Sequence, residues 1–239
     1  MTEPLSLLYR STDVVVVSKP AALPTEPPEG GGDNLRDRLS ALLAVGRGGR
    51  APHAVSRLDT NVTGAVVFAL SADGARRLEA AKAAGAYRRV YVALAHGELA
   101  DAGVWRTPVD GAAAESAFHV AGRGGPPERP TLLVGLLPRT GRTHQLRIHA
   151  SGAGSPLAGD RKYGGPSTVP AASGAMLRAA RPMLHAAAVG FPDANGAEIL
   201  VRAAVPADMA ALWSALDGRP EAWEEALGLC GVASSSPPL

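Results

Sequence analysis

The sequence predicts an α+β fold built on a mostly antiparallel sheet, and three features carry that expectation. Short apolar runs, several of them β-branched, outnumber the segments with helical spacing. The runs come in neighbouring pairs, such as 115–122 with 131–137 across a Gly/Pro turn, and 183–189 with 198–203 across a turn at Gly196. No repeat of solenoid period runs through the 239 residues. Strands joined as hairpins favour antiparallel pairing.

In chain order, Leu5–Tyr9 and Val14–Ser18 read as the first strands, the second almost purely valine and therefore buried on both faces. Lys19-Pro20 ends it, and the Pro/Gly-rich loop to Gly32 suits neither helix nor sheet. Asp33 or Asn34 caps a helix whose Leu35, Leu39, Leu42 and Leu43 form one apolar face. The run Ala65–Leu70 reads as a buried strand, and Ser71 caps a helix over Ala75–Ala84. Arg88–Gly97 alternates as a strand, with Tyr91 in register with Arg89 and Ala93. Thr143 caps a short helix to Ser151, on which His144, Arg147 and Ile148 share a face. A spacer with a small-residue helix then leads to the last hairpin. Beyond Pro206, Met209, Leu212, Trp213 and Leu216 mark a helix, Trp223–Leu229 marks another, and the end from Ser234 is expected to fray.

Hydrophobic content of 46% with 19% charged residues places the chain among globular proteins. Cys230 stands alone, which excludes an intrachain disulfide framework and argues against cysteine-rich zinc or iron–sulfur sites. His144 and His149 are five apart, the wrong interval for paired ligands on one helix face, so no metal is expected. There is neither an apolar run long enough for a membrane nor a signal-peptide pattern at Met1-Thr2-Glu3-Pro4; the expected location is the cytoplasm, without membrane contact. The net charge of +2 is small, but its layout is uneven. Arg47, Arg50 and Arg57 come with no acid between them, Arg88, Arg89, Arg139, Arg142, Arg147, Arg161 and Lys162 follow, and Glu221, Glu224 and Glu225 lie in the tail. Such a layout suits a polyanion-binding face.

The stretch Val55-Ser56-Arg57-Leu58-Asp59-Thr60-Asn61-Val62-Thr63-Gly64 feeds the buried Ala65–Leu70 strand. If it is extended, Arg57 and Asp59 lie on one side, and Gly64 lets the backbone turn sharply. Alone, Asp-Thr-Asn is ordinary turn chemistry. With Arg89-Val90-Tyr91-Val92-Ala93-Leu94, Gly141-Arg142-Thr143-His144-Gln145-Leu146-Arg147-Ile148-His149, Pro156-Leu157-Ala158-Gly159-Asp160 and Leu184-His185-Ala186, in this order, it resembles the RluA family of RNA pseudouridine synthases. The likeness covers roughly residues 5 to 204, and Val17-Ser18-Lys19-Pro20-Ala21-Ala22-Leu23 is similar to the start of that family's catalytic domain. Two positions depart: Ser56 where the family usually has His, and Val62-Thr63 where it usually has Thr-Ser.

The resemblance implies a pseudouridine synthase catalytic fold, a mixed, mostly antiparallel central sheet flanked by helices and RNA-gripping loops. It implies residues 1–205 as the catalytic domain and 206–239 as a helical extension packed on it, without the small S4 RNA-binding domain of many relatives. It also implies uridine isomerisation in structured ribosomal or transfer RNA by a monomer needing no cofactor. Asp59 would be the catalytic carboxylate, with Arg147 as its natural partner and Tyr91 offering a face to the uracil. Arg57, Arg142, His144, Leu184, Arg47 and Arg50 would contact RNA or line the pocket. The alternative is an RNA-binding or ribosome-assembly factor of the same fold that has lost catalysis, for which only Ser56 and Val62 speak. A glycoside-processing enzyme would call for paired carboxylates, and Asp59 is the only acid within the motif from Arg57 to Gly64.

Overall fold

The computed structural model describes residues 5–44 and 51–228; Arg47, Arg50, Cys230 and the expected frayed end lie outside them. The elements run β1 (Ser6–Arg10), β2 (Val14–Lys19), α1 (Leu35–Leu42), β3 (His53–Ala54), β4 (Thr63–Ala69), α2 (Ala72–Ala83), β5 (Arg88–His96) and β6 (Ala102–Trp105). They continue with β7 (Ser116–Gly124), β8 (Thr131–Pro138), α3 (Gln145–Gly152), β9 (Thr168–Pro170), β10 (Met176–Arg178), β11 (Leu184–Pro192), β12 (Glu198–Arg202), α4 (Ala207–Ala215) and α5 (Ala222–Gly228). The fold is α+β with a mostly antiparallel sheet, as the hairpin pattern predicts. Among the described residues no helix is long and apolar enough to cross a membrane.

Among the described residues two compact units emerge, one of the residues from 5 up to 88 with 188–204, the other of residues 89–187 with 205–228. In the first, β1 and β4 flank β2, both antiparallel, and β3 adds to the far end of β4 through Ala54 opposite Phe68. The later half of β11 pairs with β12 from Ala188–Arg202 to Pro192–Glu198. All four valines of β2 are at most 1% exposed, which bears out burial on both faces. Val14, Val16, Val67, Leu78, Phe191 and Val201 form the core of this unit, each such side chain contributing about 1.5–3 kcal/mol on burial. Ser71 caps α2 as expected, its Oγ accepting from the Gly74 amide at 3.0 Å. Asn34 caps α1 through the Asp37 amide, while Leu42, expected on the apolar face, is 51% exposed at the end of the helix.

In the second unit β5 and β7 flank β8, and β6 pairs with the outer edge of β7, each antiparallel. α5 packs on β7 and β8, and α4 buries Met209, Leu212 and Trp213. The predicted small-residue helix before β11 does not form. Val169 is instead buried in a short antiparallel hairpin of β9 and β10, closed by a turn in which the Gly174 amide donates to Ala171. The cap of α3 also differs from expectation: it is His144, in the left-handed region at φ 56°, and not Thr143.

Candidate active site

In the first unit Asp59 stands at the entry to a turn whose backbone is fixed from several sides. The Val62 amide donates to the Asp59 carbonyl at 2.9 Å, closing the turn over Thr60 and Asn61. Leu58 is buried at 8% exposure, between an exposed Arg57 and a half-buried Asp59, in a stretch that belongs to no strand. Thr25 binds both polar groups of Leu58, its Oγ1 donating to the carbonyl at 3.0 Å and accepting from the amide at 3.1 Å. Lys19, only 1% exposed, directs its ammonium at the carbonyls of Pro20 (3.0 Å), Leu23 (2.7 Å) and Thr60 (2.9 Å). A charged donor shared among carbonyls stitches the loop after β2 to the residue next to Asp59. Gly64 has φ 119°, where a side chain would be strained, and so supplies the sharp entry into β4.

The two departures from the family pattern also have places. Ser56 Oγ lies 3.0 Å from the Tyr87 hydroxyl, a hydrogen bond that holds the approach to the turn. Val62 and Thr63 are both buried, so this pair packs the base of β4. Lys82 donates to the Val55 carbonyl and fixes the other end of the stretch.

In the second unit Tyr91 lies on β5 opposite Leu136, 7% exposed, and Leu184 opens β11 at 4% exposed. Arg147 lies on α3, and its Nε and Nη2 donate to the two carboxylate oxygens of Asp160, both at 2.7 Å. Sequence spacing did not reveal this partner. The Tyr163 ring centroid lies 5.0 Å from the Arg147 guanidinium carbon, and the Tyr163 hydroxyl meets His144 Nδ1 at 2.7 Å. His144 and Arg147 are thus related through Tyr163, and not by a shared helix face, because His144 precedes the helix in a left-handed conformation.

Buried hydrogen bonds set where α3 begins. Gln145 donates to the Glu115 carbonyl (2.9 Å) and Ser116 Oγ (2.8 Å), and its Oε1 accepts from Thr140 Oγ1 (2.7 Å) and the Arg142 amide (3.0 Å). His149 bridges Ser116 Oγ and the Thr107 carbonyl at 3.0 and 2.8 Å. On the surface beside this network Arg106 and Arg139 share Glu115. The hydrogen bond from Arg106, with the charge of Arg139, holds the Glu115 carboxyl below its ordinary pKa. Arg142 is exposed, and its Nε donates to the Ala113 carbonyl at 3.2 Å.

A family model for RNA pseudouridylate synthase matches residues 13–152, from the turn before β2 to the last residue of α3. The chain belongs to this family. The matched span of the synthase includes Asp59, Tyr91 and Arg147. Ribosomal large subunit pseudouridine synthase D of Nitrosomonas europaea is 32% identical over 232 residues, covering 91% of this chain and 67% of the relative. The protein of the same name from Vibrio vulnificus is 32% identical over 243 residues, covering 94% and 74%. Human RNA pseudouridylate synthase domain containing 4 superposes with a TM-score of 0.68 at 22% identity, covering 88% of this synthase and 92% of the human chain. That likeness supports the fold. The resemblance to RluA-type synthases read from the motifs agrees with these findings.

Proposed function

We propose that this pseudouridine synthase modifies uridine in the RNA of the large ribosomal subunit, with Asp59 as its reacting carboxylate. The reaction breaks the bond between C1′ of the ribose and N1 of the uracil, and forms a bond from C1′ to C5. A proton leaves C5 and N1 gains one, so atoms and electrons balance without oxidant, reductant or nucleotide. The chemistry calls for an ionised carboxylate to attack the sugar or to take a proton from it. Asp59 is the only acid between Val55 and Gly64, and the Lys19 and Thr25 hydrogen bonds hold the backbone on either side of it. That braced turn, inside the span matched by the family, is the observation that carries the assignment.

Tyr91 offers the extruded uracil an aromatic surface, which offsets part of the cost of unstacking it, roughly a few kcal/mol. Arg147 supplies the positive charge that favours an ionised carboxylate. Arg57, Arg142, His144 and Leu184, together with Arg47 and Arg50, take the RNA or line the pocket, and the enzyme works as a cytoplasmic monomer. The choice of large-subunit RNA over transfer RNA is supported by the names of the bacterial relatives.

Tritium release from 5-tritiated uridine RNA tests both parts. Wild-type enzyme should release tritium from a large-subunit RNA transcript, whereas Asp59→Asn should fold, bind that RNA and release none. Turnover by the variant above a small fraction of wild type would sink the assignment of Asp59. Release from transfer RNA alone would overturn the substrate.

A further inference from the structure

We infer that Asp160 is a positioning residue for the isomerisation, fixing the orientation of the Arg147 guanidinium against the ring of Tyr163. This rests on the role proposed above for Arg147. Two parallel hydrogen bonds of 2.7 Å leave the planar guanidinium little freedom to rotate. The Arg147 and Asp160 side chains are 9% and 1% exposed, so Asp160 is too deeply buried to touch RNA itself. A buried ion pair adds little net stability, because desolvation offsets its attraction. What it does add is a fixed geometry.

The backbone around Asp160 is folded tightly enough to deliver that geometry. Gly159 has φ 78°, and a Cβ there would stand 1.9 Å from the Arg181 carbonyl oxygen; one on Gly165 would stand 1.9 Å from that of Leu157. The Asp160 amide donates to Leu157 at 3.0 Å, and its carbonyl accepts from Tyr163 (3.1 Å) and Gly165 (2.8 Å). The loop is moored to β5, with the Ala158 amide donating to Leu94 at 2.8 Å and the His96 amide to Pro156 at 2.9 Å. Tyr91 belongs to that same strand. At its other end the loop reaches α3, because the Tyr163 hydroxyl binds His144 at the helix cap. One short loop therefore ties the strand of Tyr91 to the side chain and the helix of Arg147. A displacement of about 1 Å at such a group is enough to slow a reaction 100-fold.

The test is a kinetic cycle on the full chain, using large-subunit RNA carrying 5-tritiated uridine, at a temperature where circular dichroism shows every variant folded. Asp160→Asn is expected to lower kcat about 10- to 100-fold, the range for residues that orient a functional group, with KM within about threefold of wild type. In an Arg147→Lys background, where no fork remains to be oriented, Asp160→Asn is expected to cost less than about threefold. An equal loss in both backgrounds would overturn the inference while leaving Arg147 in its proposed role. Wild-type turnover by Arg147→Lys would overturn both. Should Asp160→Asn not fold, Asp160→Glu keeps the charge and displaces it by one methylene. A wild-type kcat for that variant would equally overturn the inference, and a kcat lowered at unchanged KM would support it.

Discussion

Thr25 ties the loop after β2 to the residue preceding Asp59. It is 3% exposed, and its hydroxyl serves the amide and the carbonyl of Leu58 at once. Replacing it with valine keeps the volume and removes both hydrogen bonds, leaving a buried amide and carbonyl without that partner. The expected loss is about 1–3 kcal/mol in urea denaturation, with most of it restored by Thr25→Ser. If Thr25→Val were as stable as wild type, packing and not hydrogen bonding would hold the turn. Lys19 shows the same logic with a charge. Its ammonium is buried because the chain supplies backbone carbonyls around it, from Pro20 and Leu23 in its own loop and from Thr60 in the turn of Asp59. In the sequence the signal for Lys19 was present, a lysine closing an otherwise apolar strand, yet nothing there indicated that Thr60 would be its distant acceptor.

Elements whose character is written in consecutive residues were legible: the four valines of β2, the Ser71 cap of α2, and the apolar side of α4 at Met209, Leu212 and Trp213. β6, β9 and β10 were not, because strands of four, three and three residues are too short to display a period. Asp59, Tyr91 and Arg147 stood out through motifs, whereas the pairing of Arg147 with Asp160 crosses from a helix to a loop, where no periodicity speaks. His96 on β5 and His119 on β7 likewise became informative only in the fold. Burial, followed for His96 by the charge of Arg129, pushes the His96 imidazole below its ordinary pKa of 6.5. Burial also lowers His119, more strongly than its hydrogen bond with the Glu225 backbone raises it. Below 6.5 the unfolded chain therefore binds protons that the folded chain resists. Stability is full above that value and is lost as pH falls from it through the lower folded values. The urea midpoint should fall from pH 7.5 to pH 5.5, conditions of the assay, and fall less in a His96→Gln, His119→Gln variant. An unchanged midpoint would show both rings accepting protons without penalty. Asp13 adds nothing in this window: burial raises its pKa, the hydrogen bonds from Ser11 and Arg77 outweigh that, and its loss begins only below the ordinary carboxylate value of 3.8.

Across the whole molecule, 24 Lys and Arg against 22 Asp and Glu leave a net charge too small to draw RNA by itself. What matters is which cations are already committed. Arg38 is paired with Asp33, Arg123 with Asp101, and Arg106 and Arg139 share Glu115. Among the described residues Arg57, Arg142, Arg161 and Lys162 have no such ion pair, and all four are exposed. Cations without a carboxylate partner are the ones whose contact with phosphate releases condensed counterions without first breaking a pair. Exchanging Arg57 and Arg142 together for alanine should therefore weaken RNA binding and flatten its dependence on salt. The change should reach about 1.4 in the slope of log affinity against log salt, taking ~0.7 for each single-strand contact. The same exchange at Arg38 and Arg123 should leave the slope near that of wild type, since their charge is largely neutralised at home. Filter binding over a range of potassium chloride concentrations reads both variants. An unchanged slope for the Arg57 and Arg142 variant would assign these side chains to bracing their own loops, as the bond from Arg142 Nε to the Ala113 carbonyl already does. The grip on RNA would then fall to other cations of the chain.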